Sequence, residues 1–83
     1  MRITVKYFAS IREAIGLPGE QVDTAASDLA ALRDELIARG GAHAANLARG
    51  RAVRIALNQT MADESASLTE GAEVAFFPPV TGG

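Results

Sequence analysis

The spacing of apolar residues changes along the chain, and this change limits the fold more than any other feature of the sequence. From Arg2 to Phe8 apolar residues alternate with polar ones, which is the period of a strand with one buried face. After Ser27 they recur at helical spacing, at Leu29, Leu32 and Leu36. Alternation then returns in the last third of the chain. With 83 residues in one domain, we expect an α+β fold in which one amphipathic helix covers one face of a mixed sheet.

Two shorter elements are predicted between the first strand and the main helix. Ser10 and Glu13 have the spacing of a capping box, and they predict a helix of about two turns that ends at Gly16. The stretch GLPGEQVDT supplies turn residues, and its positions from Glu20 to Thr24 favour a short edge strand.

Charged residues and glycines mark the ends of the main helix. Asp28 is expected in its first turn and Arg39 in its last, and the glycine pair that follows should stop it. The alanine-rich positions 42–50 predict a second short helical piece carrying Leu47.

The second half of the chain predicts a hairpin and a final strand. Val53 to Leu57 alternate as a strand, and Asn58 and Gln59 should turn it into a brief returning segment at Thr60 and Met61. A glycine turn at Gly71 then leads into a last strand over residues 73–77. The expected interior consists of the apolar residues of these elements: Ile3, Val5, Leu29, Leu32, Leu36, Ile55, Leu57 and Val74.

Composition and charge exclude several classes of function. The chain has no cysteine, and its single histidine, His43, has no Cys, His or carboxylate beside it at metal-ligand spacing, so we expect no metal site. A net charge of −2 argues against a nucleic acid or an anionic membrane as the main partner. The start MRITVKYFAS lacks the apolar stretch and cleavage site of a secretory signal, and no apolar run approaches a membrane span, which indicates a cytoplasmic protein.

Two clusters of charge have no assigned role at this stage. Arg49, Arg51 and Arg54 are either a solvated edge or a small anion-binding patch that faces a partner or a phosphate group. An acidic stretch could steer a basic partner surface or serve for solvation alone; it consists of Asp63, Glu64, Glu70 and Glu73.

The segment FFPPVTGG, from Phe76 to Gly83, combines a strand end with a tail. Pro78 and Pro79 have no backbone N–H, so ladder hydrogen bonding should stop at Phe77 and the tail should leave the sheet stiffly. This predicts a domain over residues 1–77 and a protruding tail over 78–83. The alternation places the two phenylalanines on opposite faces of the sheet without indicating which one lies in the core.

The order of elements and the diglycine resemble the ubiquitin-like β-grasp family, and several motifs resemble the MoaD-type sulfur carriers, the small subunits of molybdopterin synthase. These motifs are YFASIRE, LRDEL, ALNQ and LTEGAEVAFFPPVTGG, and they span nearly the whole chain. Ala72 departs from the aspartate that is often found after the turn glycine in that family. The β-grasp resemblance implies that the first and last strands are parallel neighbours at the centre of the sheet.

The family resemblance also implies a sulfur-transfer cycle. An ATP-dependent adenylyltransferase of the ubiquitin-activating type would adenylate the Gly83 carboxylate, and sulfur would replace the adenylate as a thiocarboxylate. The tail would then enter the active site of the large synthase subunit, in a heterotetramer, and give sulfur to cyclic pyranopterin monophosphate. Gly83 would be the reactive residue, and Gly82 would permit its approach. The docking segment implied by the motif consists of Phe77, Pro78, Pro79, Val80 and Thr81.

Other functions share this terminal chemistry and stay open. A sulfur carrier of another pathway, such as thiazole synthesis, would use a different acceptor. A protein modifier would form an isopeptide bond from Gly83 to a lysine. A binding module that uses the tail as a peptide ligand would keep its activity when the terminal carboxylate is blocked.

Overall fold

The first and last strands lie side by side at the centre of one five-stranded sheet. The computed structural model describes residues 1–79, in which β1 (Arg2–Tyr7) runs parallel to β5 (Glu73–Phe77). The edge strand β2 (Gly19–Asp23) is antiparallel to β1. On the other side, β3 (Arg54–Leu57) pairs antiparallel with both β5 and β4 (Thr60–Met61). The resulting order is β2-β1-β5-β3-β4. Its central parallel pair, β1 and β5, confirms what the β-grasp resemblance implied.

The main helix, α2 (Leu29–Ile37), packs its leucines onto one face of this sheet. Asp28 is the N-cap of α2 and not a first-turn residue, because its carboxylate accepts a hydrogen bond of 2.8 Å from the Ala31 N–H. The prediction that Arg39 lies in the last turn is also wrong, because Arg39 comes two residues after the end of α2. The chain leaves the helix after Ile37, and Gly40 then takes a left-handed φ of 76°.

The predicted capping box of the first helix is wrong. The helix α1 (Ala9–Ile15) starts directly after Phe8, so Ser10 lies inside its first turn, and no side chain caps it. The cause is the strand before it, since the Phe8 N–H still donates to the Phe76 carbonyl at 3.2 Å and strand pairing therefore reaches the residue before the helix. The predicted end is confirmed, with Gly16 at a φ of 86°.

The short helix and the hairpin of the second half are confirmed. The helix α3 (Gly41–Leu47) buries Leu47 completely. Asn58 and Gln59 join β3 to β4 with positive φ angles of 50° and 69°, the left-handed pair that suits a two-residue hairpin turn. Of the predicted interior residues only Leu57 is partly buried, and the remaining seven are buried in one core with these additional members: Tyr7, Ile11, Ala26, Leu47, Leu68, Ala72 and Phe76.

Candidate partner-docking surface

The two phenylalanines at the end of β5 occupy opposite faces of the sheet. Phe76 is fully buried among the core residues, and its ring stacks on Tyr7 with centroids 6.3 Å apart. Phe77 is partly exposed, and the alternation along β5 places it on the opposite face of the sheet. The question that the alternation left open is thereby answered: Phe76 is the core residue, and Phe77 is available to a partner.

Phe77 belongs to an apolar surface at the point where β5 ends. Its ring stacks on the ring of Phe8, which is 38% exposed, and Met61 on the edge strand is 50% exposed. An open groove of about 370 Å³ lies here, which we call the tail-root groove. It is lined by Ala9, Arg54, Met61, Phe77, Pro78 and Pro79.

The groove lies where the sheet ends, because the two prolines that line it stop the strand pairing of β5. β5 ends at Phe77, and Pro78 and Pro79 cannot donate to a neighbouring strand. An exposed apolar surface of this kind marks an interaction site more often than a catalytic one. In the described part of the chain, Arg54 is the one charged residue of the lining, and the other lining residues are apolar. The groove therefore suits the docking of a partner and offers no general acid or base.

The three arginines considered together in the sequence do not form one patch. Arg49 pairs with Asp34 and with Glu64 and also donates to the Ala30 carbonyl. The hydrogen bond from Arg49 lowers the pKa of the Glu64 carboxyl below its ordinary value. Arg51 donates to the Ala45 carbonyl at 2.9 Å. Arg49 and Arg51 therefore hold loops in place, and Arg54 alone of the three lines the tail-root groove.

Comparison with known proteins places nearly the whole chain in one family. The model of the ThiS family matches residues 5–83. The chain belongs to the ThiS family. Two relatives named molybdopterin synthase sulfur carrier subunit support the resemblance seen in the motifs. The relative from Escherichia coli is 41% identical and the one from Haemophilus influenzae 37% identical, and both matches cover 98% of this chain and 99% of the relative.

Two solved structures share the fold of this ThiS-family chain. SAMP1 from Haloferax volcanii has a TM-score of 0.79 at 26% identity, with both chains covered completely. A second match is a chain in the complex of subunits 1 and 2 of the molybdopterin-converting factor from Helicobacter pylori. Its TM-score is 0.69 at 28% identity, again with complete coverage of both chains.

The predicted site residues of this ThiS-family chain fall into two groups. The structure brings Phe77, Pro78 and Pro79 together in the tail-root groove. The other four predicted residues lie outside the described range: Val80, Thr81, Gly82 and Gly83.

Two residues of the groove lining, Met61 and Ala9, and the neighbouring Phe8, which stacks on Phe77, were not predicted as site residues from the sequence. Phe8 had a signal, since it continues the outward-facing positions Thr4 and Lys6 of the β1 alternation. The sequence signal for Met61 was weaker: it is an apolar residue in the short returning segment. Ala9 had none, because its place in the groove depends on the turn from β1 into α1.

The single histidine of this ThiS-family chain belongs to a polar cluster beside Tyr7, on the core-facing side of the sheet. The Glu20 carboxylate receives hydrogen bonds from the Tyr7 hydroxyl at 2.6 Å and from Arg39 at 2.9 Å, and it lies 3.0 Å from His43 Nε2. Burial acts to raise the pKa of Glu20, but the hydrogen bonds outweigh it and hold the pKa below its ordinary value. Burial and the hydrogen bond to Glu20 raise the pKa of Tyr7. The cluster ties β2 to α3 and has a structural role.

Neither a metal centre nor a membrane span is present in the described range. Within residues 1–79 no group of three or more His, Cys, Asp or Glu side chains could hold a metal ion. No helix in that range is both long and apolar enough to cross a membrane.

Proposed function

We propose that this protein is the sulfur carrier subunit of a molybdopterin synthase and that the α-carboxylate of Gly83 carries the sulfur. The observation that carries the proposal is an apolar groove at the root of a diglycine tail, in a chain whose relatives at 37% and 41% identity bear that name. The groove supplies a docking surface, and the tail supplies the reactive group.

The proposed chemistry needs an activating partner. At pH 7 the terminal carboxylate is ionised, since its reference pKa is about 3.5, and it resists attack by a nucleophile. An adenylyltransferase of the ubiquitin-activating type would let a carboxylate oxygen attack the α-phosphate of ATP, with pyrophosphate leaving. A sulfur nucleophile would then attack the acyl carbon and expel AMP, which leaves a thiocarboxylate on Gly83. This protein binds no cofactor of its own in the scheme, and ATP is consumed by the activating enzyme.

The tail is proposed to deliver this group into a second protein. With the domain over residues 1–77 and the tail over 78–83, the four residues after Pro79 span at most roughly 13 Å when extended. Gly82 and Gly83 have no Cβ and can pass a narrow entrance. The tail would enter the active site of the large synthase subunit, in a cytoplasmic heterotetramer, and give sulfur to cyclic pyranopterin monophosphate to build the dithiolene. The small subunit is then a sulfur donor, and the large subunit holds the catalytic groups.

A protein modifier is the second candidate, and one comparison favours it. A matching structure from Haloferax volcanii is named small archaeal modifier protein 1 and is 25% identical to this chain. A modifier shares the activation step but uses a lysine as acceptor. A sulfur carrier for thiazole synthesis would share the thiocarboxylate and differ in its acceptor as well.

Intact-mass spectrometry tests the proposal. After incubation with the activating enzyme, ATP and a sulfide donor, we expect the mass to rise by the difference between sulfur and oxygen, and peptide mapping should place the change on Gly83. Adding the large subunit and cyclic pyranopterin monophosphate should return the mass to its starting value as dithiolene forms. A chain lacking Gly83 is the control and should give no dithiolene. An unchanged mass in the wild type contradicts the proposal, and a ladder of lysine conjugates in extracts would favour the modifier.

A further inference from the structure

Arg54 is one of two lysine or arginine side chains, with Arg12, that have no hydrogen-bond or ion-pair partner within residues 1–79. Five of the eight lysines and arginines form ion pairs with carboxylates: Arg2, Lys6, Arg33, Arg39 and Arg49. Arg51 donates to a backbone carbonyl. Arg12, which also has no partner in this range, lies on α1 and lines a different groove.

The position of Arg54 is defined by the sheet register. It is the first residue of β3, and its Cα partner on β5 is Phe77, the last residue before the prolines. Its side chain lines the tail-root groove beside Met61 and Pro78 and is exposed to solvent. The one positive charge that residues 1–79 contribute to the groove therefore lies beside Phe77 and Pro78.

Nearby acidic residues do not neutralise this charge. Asp63 and Glu64 line a neighbouring groove together with Arg54, but neither forms an ion pair with it in the described part of the chain. The Glu64 carboxylate is taken by Arg33 and by Arg49. No group within residues 1–79 accepts a hydrogen bond from Arg54, so its five N–H donors are open to an outside group.

A protein that covers the groove removes water from around Arg54. A charge that loses its water without gaining a partner is costly, and a carboxylate aligned with the planar guanidinium can replace that water with two parallel hydrogen bonds. A partner surface with a lysine or only apolar groups at this point is disfavoured, so the same contact contributes to specificity.

We propose that Arg54 is a specificity-determining contact that pairs with an aspartate or glutamate of the large synthase subunit at the root of the tail. This inference rests on the proposed function, because it takes the large subunit as the protein that docks on the tail-root groove. The apolar lining would provide contact area, and Arg54 would set which surface fits and how it is oriented around the tail.

Binding of the purified large subunit to four variants tests the charge contact. The set is Arg54→Lys, Arg54→Gln, Arg54→Glu and the control Arg2→Gln, which removes an exposed arginine from the opposite end of β1. The dissociation constant and the association rate are measured at about 0.1 M and about 1 M salt, where charges are screened beyond roughly 10 Å and 3 Å.

At the lower salt we expect Arg54→Gln to weaken binding about threefold, and Arg54→Glu about tenfold or more because it places like charges together. Arg54→Lys should bind between the wild type and Arg54→Gln, and the difference between wild type and Arg54→Gln should shrink at the higher salt. Arg2→Gln should bind as the wild type does, and all variants should show the wild-type melting curve.

Two results would overturn the proposal in distinguishable ways. If Arg54→Glu and the wild type have the same dissociation constant at both salt concentrations, the charge contact is excluded. The proposed function is then unaffected. A wild-type protein that does not bind the large subunit at all overturns the proposed function and this inference together.

Discussion

The ring of Phe8 lies almost parallel to the ring of Phe77, with centroids 4.6 Å apart and planes inclined by 10°. Phe8 follows β1 and Phe77 ends β5, and these strands are parallel neighbours, so the stack spans the two central strands beside the tail-root groove. Phe76, one residue earlier, lies on the other face in the core. Adjacent and identical residues therefore have different roles, and substitution can separate them.

Phe77→Asp should weaken binding to the large subunit while the protein stays folded. The substitution removes an aromatic contact and places a carboxylate in the groove, where a docked partner would exclude water from it. Co-purification from cells that express both subunits measures the effect, and circular dichroism checks the fold.

Phe76→Ala is the matched variant on the buried face. It should cost about 3–5 kcal/mol of unfolding free energy, because it leaves a cavity in the core. An undiminished yield of complex from Phe77→Asp and from Phe8→Asp would contradict the assignment of the aromatic stack to the interface.

Leu32→Ala should lower the unfolding free energy by about 2–5 kcal/mol, since Leu32 is fully buried between α2 and the sheet. Urea unfolding gives the midpoint and the slope. Leu17→Ala makes the same chemical change at a side chain that is 41% exposed, and it should shift the free energy by about 0.5 kcal/mol or less. Equal midpoints for the two variants would contradict the packing of α2.

Acid should destabilise the protein partly through Glu20. Its pKa is lowered in the folded state, so its stabilisation is fully present above the unfolded-state pKa of about 4.3 and is lost as the pH falls through the lower folded-state pKa. Melting temperatures between about pH 7 and pH 3 should fall less steeply for Glu20→Gln than for the wild type. Glu13→Gln, at an exposed residue with no side-chain partner within 1–79, should keep the wild-type slope. Parallel slopes for all three proteins would exclude a contribution from Glu20.

A residue added after Gly83 should block sulfur transfer without affecting folding. The extension displaces the reactive carboxylate from its docked position, and a displacement of about 1 Å can already lower a rate roughly 100-fold. Dithiolene formation measures activity, the melting temperature checks the fold, and the intact mass shows whether the added residue is still present. Normal activity from the untrimmed extended protein would refute Gly83 as the sulfur-bearing residue.

The local part of the fold could be predicted because its signals lie close together in the sequence. Ile3, Val5 and Tyr7 alternate within one strand, and Asn58 and Gln59 are the two residues of one hairpin turn. The order of the strands could not be predicted from such local signals, since β1 pairs with β5, which is nearly the whole chain length away in sequence. That pairing came from the family resemblance and not from the periodicity.

The sequence by itself determined the strand and helix periods, the end of the last strand before Pro78 and the family motif that ends in Gly83. The tertiary structure decided which phenylalanine is buried, where α1 begins and which arginine faces the groove. Arg33 shows the reason most clearly: this charged residue is 3% exposed because it donates to the carbonyls of Leu47, Ala48 and Arg51 and pairs with Glu64. Those partners are 14 to 31 residues away along the chain. Side-chain roles that depend on such distant contacts leave no periodic signal, because only folding brings the groups together.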